Sequence, residues 1–341
     1  LQLDHMRMDG FVHALNLRRQ RGLPPVTLLS CDNLPANGDT LRGIVLAFAQ
    51  QVDGALHGWI GAHCTFPNSM VDRIVPRTTD ADRERISARL GAEDAWPVIG
   101  EPFLEWVVED RFANGRPGWA AGGARFVEHA EPFERLKLRM VNGSHSALAY
   151  LGTMAGFRTV DRAMAEPALR NFIDALMREE IAPTLPAMQG LDLDSYRARL
   201  LQRFSNPALQ HQTKQIAMDG SQKLPQRLLG TVRDRLAAGQ PIDRLALAIA
   251  AWIHYLRGVD ETGATHDIQD PLAEALAHRL VQADAAPSVQ ERVAFFAGFA
   301  PVFGELGGEP RFVAAVARQL AVLETRGVLG ALAVFDTTAS G

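Results

Sequence analysis

Two cysteines in 341 residues, Cys31 and Cys64, are too few and too far apart for a disulfide scaffold or a CxxC metal site. They fit a reducing compartment. No uninterrupted apolar run approaches the ~20 residues of a membrane-spanning helix. The longest candidate, LALAIAAWIHYL at 245–256, has the length of a buried helix and carries His254. The amino-terminal LQLDHMRMDGFVHAL holds no apolar core of signal-peptide length, so a cytoplasmic location is expected. Excess positive charge is also lacking: the net charge of −4 argues against a non-specific nucleic-acid binder and predicts no nucleic-acid partner. The ten histidines and two cysteines form no ligand-spaced cluster, so no metal site is expected. Internal repeats and low-complexity tracts are missing too.

What is present is an ordinary globular composition, 47% hydrophobic and 22% charged, in a chain long enough for two domains of roughly 100–200 residues. The first part alternates. VTLLS (26–30) reads as a short buried strand, and TLRGIVLAFAQQV (40–52) as an amphipathic helix. HCTFPNSMVDRIVP (63–76) reads as extended, and TTDADRERISARLG (78–91) as a helix opened by a Thr/Asp cap. EWVVED (105–110) and ARFVEH (124–129) add strands around the turn-rich ANGRPGWAAGG. Beyond residue 130 the apolar residues of PALRNFIDALMREEIAPTL, DSYRARLLQRFSN, RLALAIAAWIHYLRG, PLAEALAHRLV and RFVAAVARQLAVLETR recur at three-and-four spacing, with Pro, Gly and Asp at the joints. The expectation is α/β over 1–130 followed by an all-helical domain over 131–341.

The helical part opens on KLRMVNGSHSALAYLG (137–152), where Lys137, Asn142 and His145 interrupt residues that belong in a core. In a helix over 138–150, Asn142 and His145 are three apart and share a face. Lys137 lies about 12 Å along the axis from His145 at 1.5 Å per residue. Gly143 admits a ligand or another backbone, at a helix-propensity cost of ~1 kcal/mol. A lysine desolvated in an apolar site has a lowered pKa and serves as a general base near neutral pH. An amide can donate to an oxygen gaining negative charge, and a histidine can hold a substrate hydroxyl. Together they suit removal of a proton from an alcohol whose carbon loses a hydride. The competing reading is structural, a solvated lysine and a hydrogen-bonded core histidine, and spacing alone does not separate the two.

The same stretch closely resembles the signature of the long-chain mannitol dehydrogenase family: lysine, five on to asparagine, three further to histidine. LLSCDNLPANG (28–38), TFPNSMVDRIVP (65–76), EPFLEWVVEDRF (101–112), RFSNPAL (203–209) and QIAMDGSQKLPQRLL (215–229) are similar to further family blocks, in the family's order, and cover most of residues 20–260. Their wording is most similar to the fructuronate reductase branch. The resemblance implies the later part of a Rossmann-type dinucleotide-binding domain, followed by a helical domain like that of 6-phosphogluconate dehydrogenase. It implies an NAD-dependent, metal-independent enzyme, with NADP left open, acting on a sugar acid or polyol as monomer or homo-dimer. By residue, it implies Lys137 as the acid–base and Asn142 with Asn33 as stabilisers of the alkoxide-like oxygen. His145 would position substrate, Asp72 and Lys223 would contact it, and Glu134 would relay the proton outward.

Two departures accompany the resemblance. No GxGxxG phosphate loop occurs: GELGGEP (304–310) and AAGGARF (120–126) have the wrong spacing and context, so no cofactor-binding residue is named. A chain lacking its first ~150 residues, about one domain, accounts for this. Fructuronate reductases also tend to carry arginines where Gln210 and Gln212 stand, and a carboxylate wants a guanidinium partner. This favours a neutral polyol, as in the mannitol 2-dehydrogenase branch, although Lys214 and Lys223 could serve. A non-catalytic helical interaction module is the alternative of another class.

Overall fold

The protein is described by a computed structural model over residues 5–188 and 190–338. Its chain forms two compact units, Leu1–Ile74 with Glu101–Arg135, and Val75–Gly100 with Leu136–Gly341.

The first unit combines three helices, α1 (His5–Gln20), α2 (Asn37–Val52) and α3 (Gly54–His63), with a small sheet. Apolar residues one helical turn apart, Val45 with Ala49 and Leu56 with Ile60, join Val12, Leu15, Leu28 and Phe66 in one core. Asp53 makes the corner between α2 and α3: its carboxylate accepts from Ala55 N at 2.8 Å and is held by Arg19 at 2.9 Å. The sheet runs β1 (Ser69–Asp72), β2 (Glu105–Glu109), β3 (Arg125–Val127), with β1 and β2 antiparallel and β2 and β3 parallel. Val107 and Val108, on opposite faces of β2, are both buried, as a central strand requires.

One expected strand does not form. VTLLS makes a single bridge, Thr27 to Thr65, flanked by Leu28 N donating to Thr65 O at 2.9 Å and Thr65 N to Val26 O at 3.4 Å. An apolar run becomes a strand only when a partner continues the ladder, and here the chain turns away after one rung. Asn33 therefore follows a bridge, not a strand edge.

The second unit is helical. Its centre is Asp243–Tyr255, where every residue from Leu245 to Ile253 is buried, packed against Ser144–Met154 and the long helix Pro310–Thr338. The buried Glu180 carboxylate caps it, accepting from Arg244 N at 2.8 Å and Leu245 N at 2.9 Å. The segment Val75–Gly100 belongs to this unit although it lies between β1 and β2 in sequence. Its helix α4 (Asp80–Leu90) is closed as its sequence predicts, by a Thr79/Asp82 capping box and by Gly91 at φ 70°.

Candidate active site

The stretch that opened the question forms a composite helix. α5 (Glu131–Leu136) runs into a π-helical segment, Lys137–Gly143, and this into α6 (Ser144–Met154). The sequence predicted a helix here, but not the change of pitch, which recurs where proteins build sites. A second π segment, Pro225–Leu229, packs against the first. Gly143 is the contact point: a Cβ there would stand 2.7 Å from the Arg227 carbonyl oxygen. The room that glycine leaves is filled by another backbone. Arg139 secures the other side, donating to Thr184 O at 3.3 Å and pairing with Asp234 at 2.6 Å.

Lys137, Asn142 and His145 are each only 8% exposed, so none is a solvated surface group. The Asn142 Nδ2 and His145 Nε2 atoms are buried without a hydrogen-bond partner among the described residues. Leaving a buried polar group unpaired costs about 1–3 kcal/mol, and two such atoms fall within four residues here. The His145 ring is stacked on Phe204, centroids 4.7 Å apart, with His211 edge-on at 5.2 Å. Burial holds the His145 pKa well below its ordinary value, and His211, Arg227, Arg203 and Lys223 push it the same way. His211 is brought down to about 4, by burial first and then by Lys223. Both rings are therefore neutral at pH 7.

Lys223 is brought into this neighbourhood from a distant point in the sequence. Burial and the Arg227 guanidinium lower its pKa, while Asp219, 3.7 Å away, opposes them. Arg227 donates to Ser146 Oγ at 3.0 Å. Asp219 takes a left-handed conformation, φ 56°, at the mouth of Gly220–Leu224. Lys137, Asn142, His145 and Lys223 thus lie in the second unit. His211, Arg227 and Phe204 join them and were not singled out by sequence. Phe204 and Arg227 fall within the family-like blocks 203–209 and 215–229 and His211 within neither, and no short spacing ties any of them to Lys137.

The other three expected site residues lie in the first unit, on segments that one polar network joins. Asn37 is its knot: Nδ2 donates to Ser30 O at 3.1 Å, Asp32 O at 3.0 Å and Ser69 O at 2.9 Å, while Oδ1 accepts from Ser69 N at 2.9 Å. This ties the loop bearing the exposed Asn33 to β1, which carries the buried Asp72. Asn68 continues the network: its Oδ1 accepts from the amides of Gly38 and Asp39 at 2.9 and 3.0 Å, and its own backbone N–H donates to Glu109 Oε2 at 3.0 Å. Glu134 accepts from Ala36 N at 3.0 Å. Burial raises its pKa, and the carboxylates of Glu109, Glu131 and Asp39 add to the rise. A buried carboxyl that takes up protons readily suits proton exchange.

Among the described residues no group of three or more His, Cys, Asp or Glu is placed to hold a metal ion. Nor do the glycine-rich stretches form a strand–loop–helix cradle for phosphates: Gly304–Gly308 and Trp119–Gly122 are 3-10 turns.

Comparison with known proteins places this geometry in context. Residues 5–121 match the family model of the mannitol dehydrogenase Rossmann domain, and residues 129–324 that of the mannitol dehydrogenase C-terminal domain. D-mannonate oxidoreductase of Escherichia coli (strain K12) is 50% identical over 261 residues, 76% of this chain and 54% of that protein. An uncharacterized oxidoreductase of the same organism, YeiQ, is 45% identical over 313 residues, 92% of this chain and 63% of that one. Among solved structures, the mannitol 2-dehydrogenase of Pseudomonas fluorescens, in ternary complex with NAD and D-mannitol, aligns with a TM-score of 0.84 at 40% identity. That alignment covers 96% of this chain and 65% of the other. The chain spans between about half and two-thirds of the length of these relatives.

Proposed function

Because this chain belongs to the mannitol dehydrogenase family, we propose that it serves an NAD-dependent, metal-independent oxidoreductase interconverting a sugar acid or polyol with its 2-keto sugar. D-mannonate and D-fructuronate are the favoured pair. The observation that carries the reading is Lys137, buried in the same π-helical segment as Asn142, whose Nδ2 has no hydrogen-bond partner among the described residues. Lys137 takes the hydroxyl proton of the substrate carbinol. The Asn142 N–H donates to the oxygen as negative charge grows on it, an interaction worth ~3–4 kcal/mol per donor in comparable sites. The neutral His145, held flat by Phe204, orients a neighbouring hydroxyl. Asn33, Asp72 and Glu134 keep the roles that the resemblance implies, as a second amide, a substrate contact and a proton relay. NAD would accept the hydride, and no residue described here is assigned to its phosphates. The favoured ligand is a sugar acid because Arg203, Lys223 and Arg227 surround His145 with positive charge.

Lys137→Ala tests this: reduction of D-fructuronate, followed by loss of NADH absorbance, should slow by ~10³-fold or more. NADH affinity should stay near that of the parent. Undiminished turnover ends the assignment. A neutral polyol is the second reading, motivated by the amides of Gln210 and Gln212 and by mannitol 2-dehydrogenase relatives such as that of Phaeosphaeria nodorum, 40% identical over 325 residues. Comparing fructuronate, tagaturonate, fructose and xylulose as substrates separates the two.

A further inference from the structure

Lys223 reaches the neighbourhood of His145 on a turn, residues 219–223, that is held at three successive positions by other parts of the second unit. Asp219, in its left-handed conformation at φ 56°, donates its N–H to the Gln269 carbonyl oxygen at 2.9 Å. Gly220 is pressed against α6 and the central helix: a Cβ there would stand 2.3 Å from Trp252 Nε1 and 3.0 Å from the Tyr150 hydroxyl oxygen. Ser221 is gripped by Asp270. One carboxylate oxygen accepts from Ser221 N at 2.8 Å and the other from Ser221 Oγ at 2.5 Å.

Asp270 is itself tied down. Its Oδ1 also accepts from Leu272 N at 2.8 Å, and its carbonyl oxygen from Ala273 N at 3.0 Å, at the entry of the helix Ala273–Asp284. Hydrogen bonds to an ionised acceptor are stronger than neutral ones, so the carboxylate is the firmest of the three fastenings. Lys223 is the side chain this turn presents. Its backbone N–H donates to the Asp219 carbonyl oxygen at 3.0 Å, so its place follows from where residues 219 and 221 are fixed. Its Nζ donates to Ile216 O at 3.3 Å and lies 3.7 Å from Asp219, with 22% of the side chain exposed. Burial and Arg227 draw its pKa down, and Asp270 joins Asp219 in holding it up.

We propose that Asp270 is a positioning residue: by clamping Ser221 it fixes where Lys223 meets the substrate, without touching the substrate itself. The inference rests on the reading of Lys223 as a substrate contact and adds the residue that aims it. The competing role is a helix cap alone. Capping Leu272 N occupies only Oδ1, however, and Oδ2 is directed at Ser221 N, far away in sequence. The carboxylate therefore joins two segments that local structure has no need to join.

The test uses the full chain and two readouts. Its three lysines are Lys137, Lys214 and Lys223, so acetic anhydride labelling followed by mass spectrometry reads each separately. In Asp270→Ala the labelling rate of Lys223 should rise roughly threefold or more, as the turn loosens and a nearby acid is lost. Lys137 and Lys214 should keep the parent's rates. With NADH, the KM for D-fructuronate should rise ~tenfold while kcat hardly changes, the signature of binding lost equally from ground and transition states. Lys223→Ala should raise KM similarly, and the two changes together should do no more than either alone. Asp270→Asn, which keeps an oxygen for Ser221 N, should recover most of the KM. Ser221→Ala leaves the Leu272 cap intact and repeats the test in milder form should Asp270→Ala not fold. Unchanged Lys223 labelling, equal acceleration at all three lysines, or additive effects of the two alanine variants on KM overturns the clamp. Faster Lys223 labelling with KM unmoved in Lys223→Ala overturns instead the reading of Lys223 as a substrate contact, so the two failures are told apart.

Discussion

Two buried asparagines, one in each unit, are treated in opposite ways. Asn37 is 2% exposed and spends its amide fully, on three carbonyl oxygens and one backbone N–H. Asn142 is 8% exposed and its Nδ2 has no hydrogen-bond partner among the described residues. The residue type is the same and the burial is similar, so burial alone does not tell structure from function. Satisfaction does. A network with every member paired fixes a loop and a strand end in place, whereas an unpaired donor in a core is a cost that folding does not recover and a ligand does.

That contrast can be broken most sharply by Asn142→Ala. Turnover should fall by ~10²–10³-fold, as for loss of one oxyanion donor. The thermal midpoint should hardly move, because the amide N–H has no hydrogen-bond partner to lose among the described residues. A large drop in stability with little loss of rate would put Asn142 on the same footing as Asn37.

The reciprocal change, Asn37→Ala, should destabilise the first unit by roughly 2–3 kcal/mol, since the buried Ser69 backbone loses its bonds to the Asn37 side chain. Urea unfolding read by circular dichroism measures it. A midpoint equal to that of the parent would mean the network is decorative.

A smaller and more diffuse effect should follow pH. His145 and His211 are held neutral in the folded chain, His211 down to about 4, against an ordinary value of 6.5. Between those limits the unfolded chain binds more protons than the folded one, so stability is fully present above about 6.5 and is lost as pH falls toward 4. Glu134 acts in the opposite sense: its raised pKa favours the folded chain at low pH and withdraws that support as pH rises through it. Unfolding midpoints taken from pH 7.5 to 4.5 should decline, and His211→Gln should flatten part of the slope. A rise on acidification would contradict the burial of these rings.

Much of this was legible in the residues. Helix α4 was announced by Thr79 and Asp82 and ended by Gly91 because capping is local chemistry, settled within four residues. The same locality exposed Lys137, Asn142 and His145, whose polarity contradicts the apolar company around them. VTLLS misled because a strand is made by its neighbour, and the ladder stops after one rung. The excursion of Val75–Gly100 into the helical unit was invisible for a similar reason: nothing within the segment states what it packs on.

The amino-acid order by itself thus determined the helical periodicities, the caps, the family and the polar intruders at 137–145, all of which depend on residues a few places apart. Tertiary packing decided the rest. It seated the Arg227 backbone against Gly143, set Phe204 and His211 around His145, and brought the Asp270 carboxylate onto Ser221. The physical reason is that burial, and the pairing or isolation of a charge, are properties of whatever surrounds a group in space, and those neighbours come from parts of the chain that no local pattern connects.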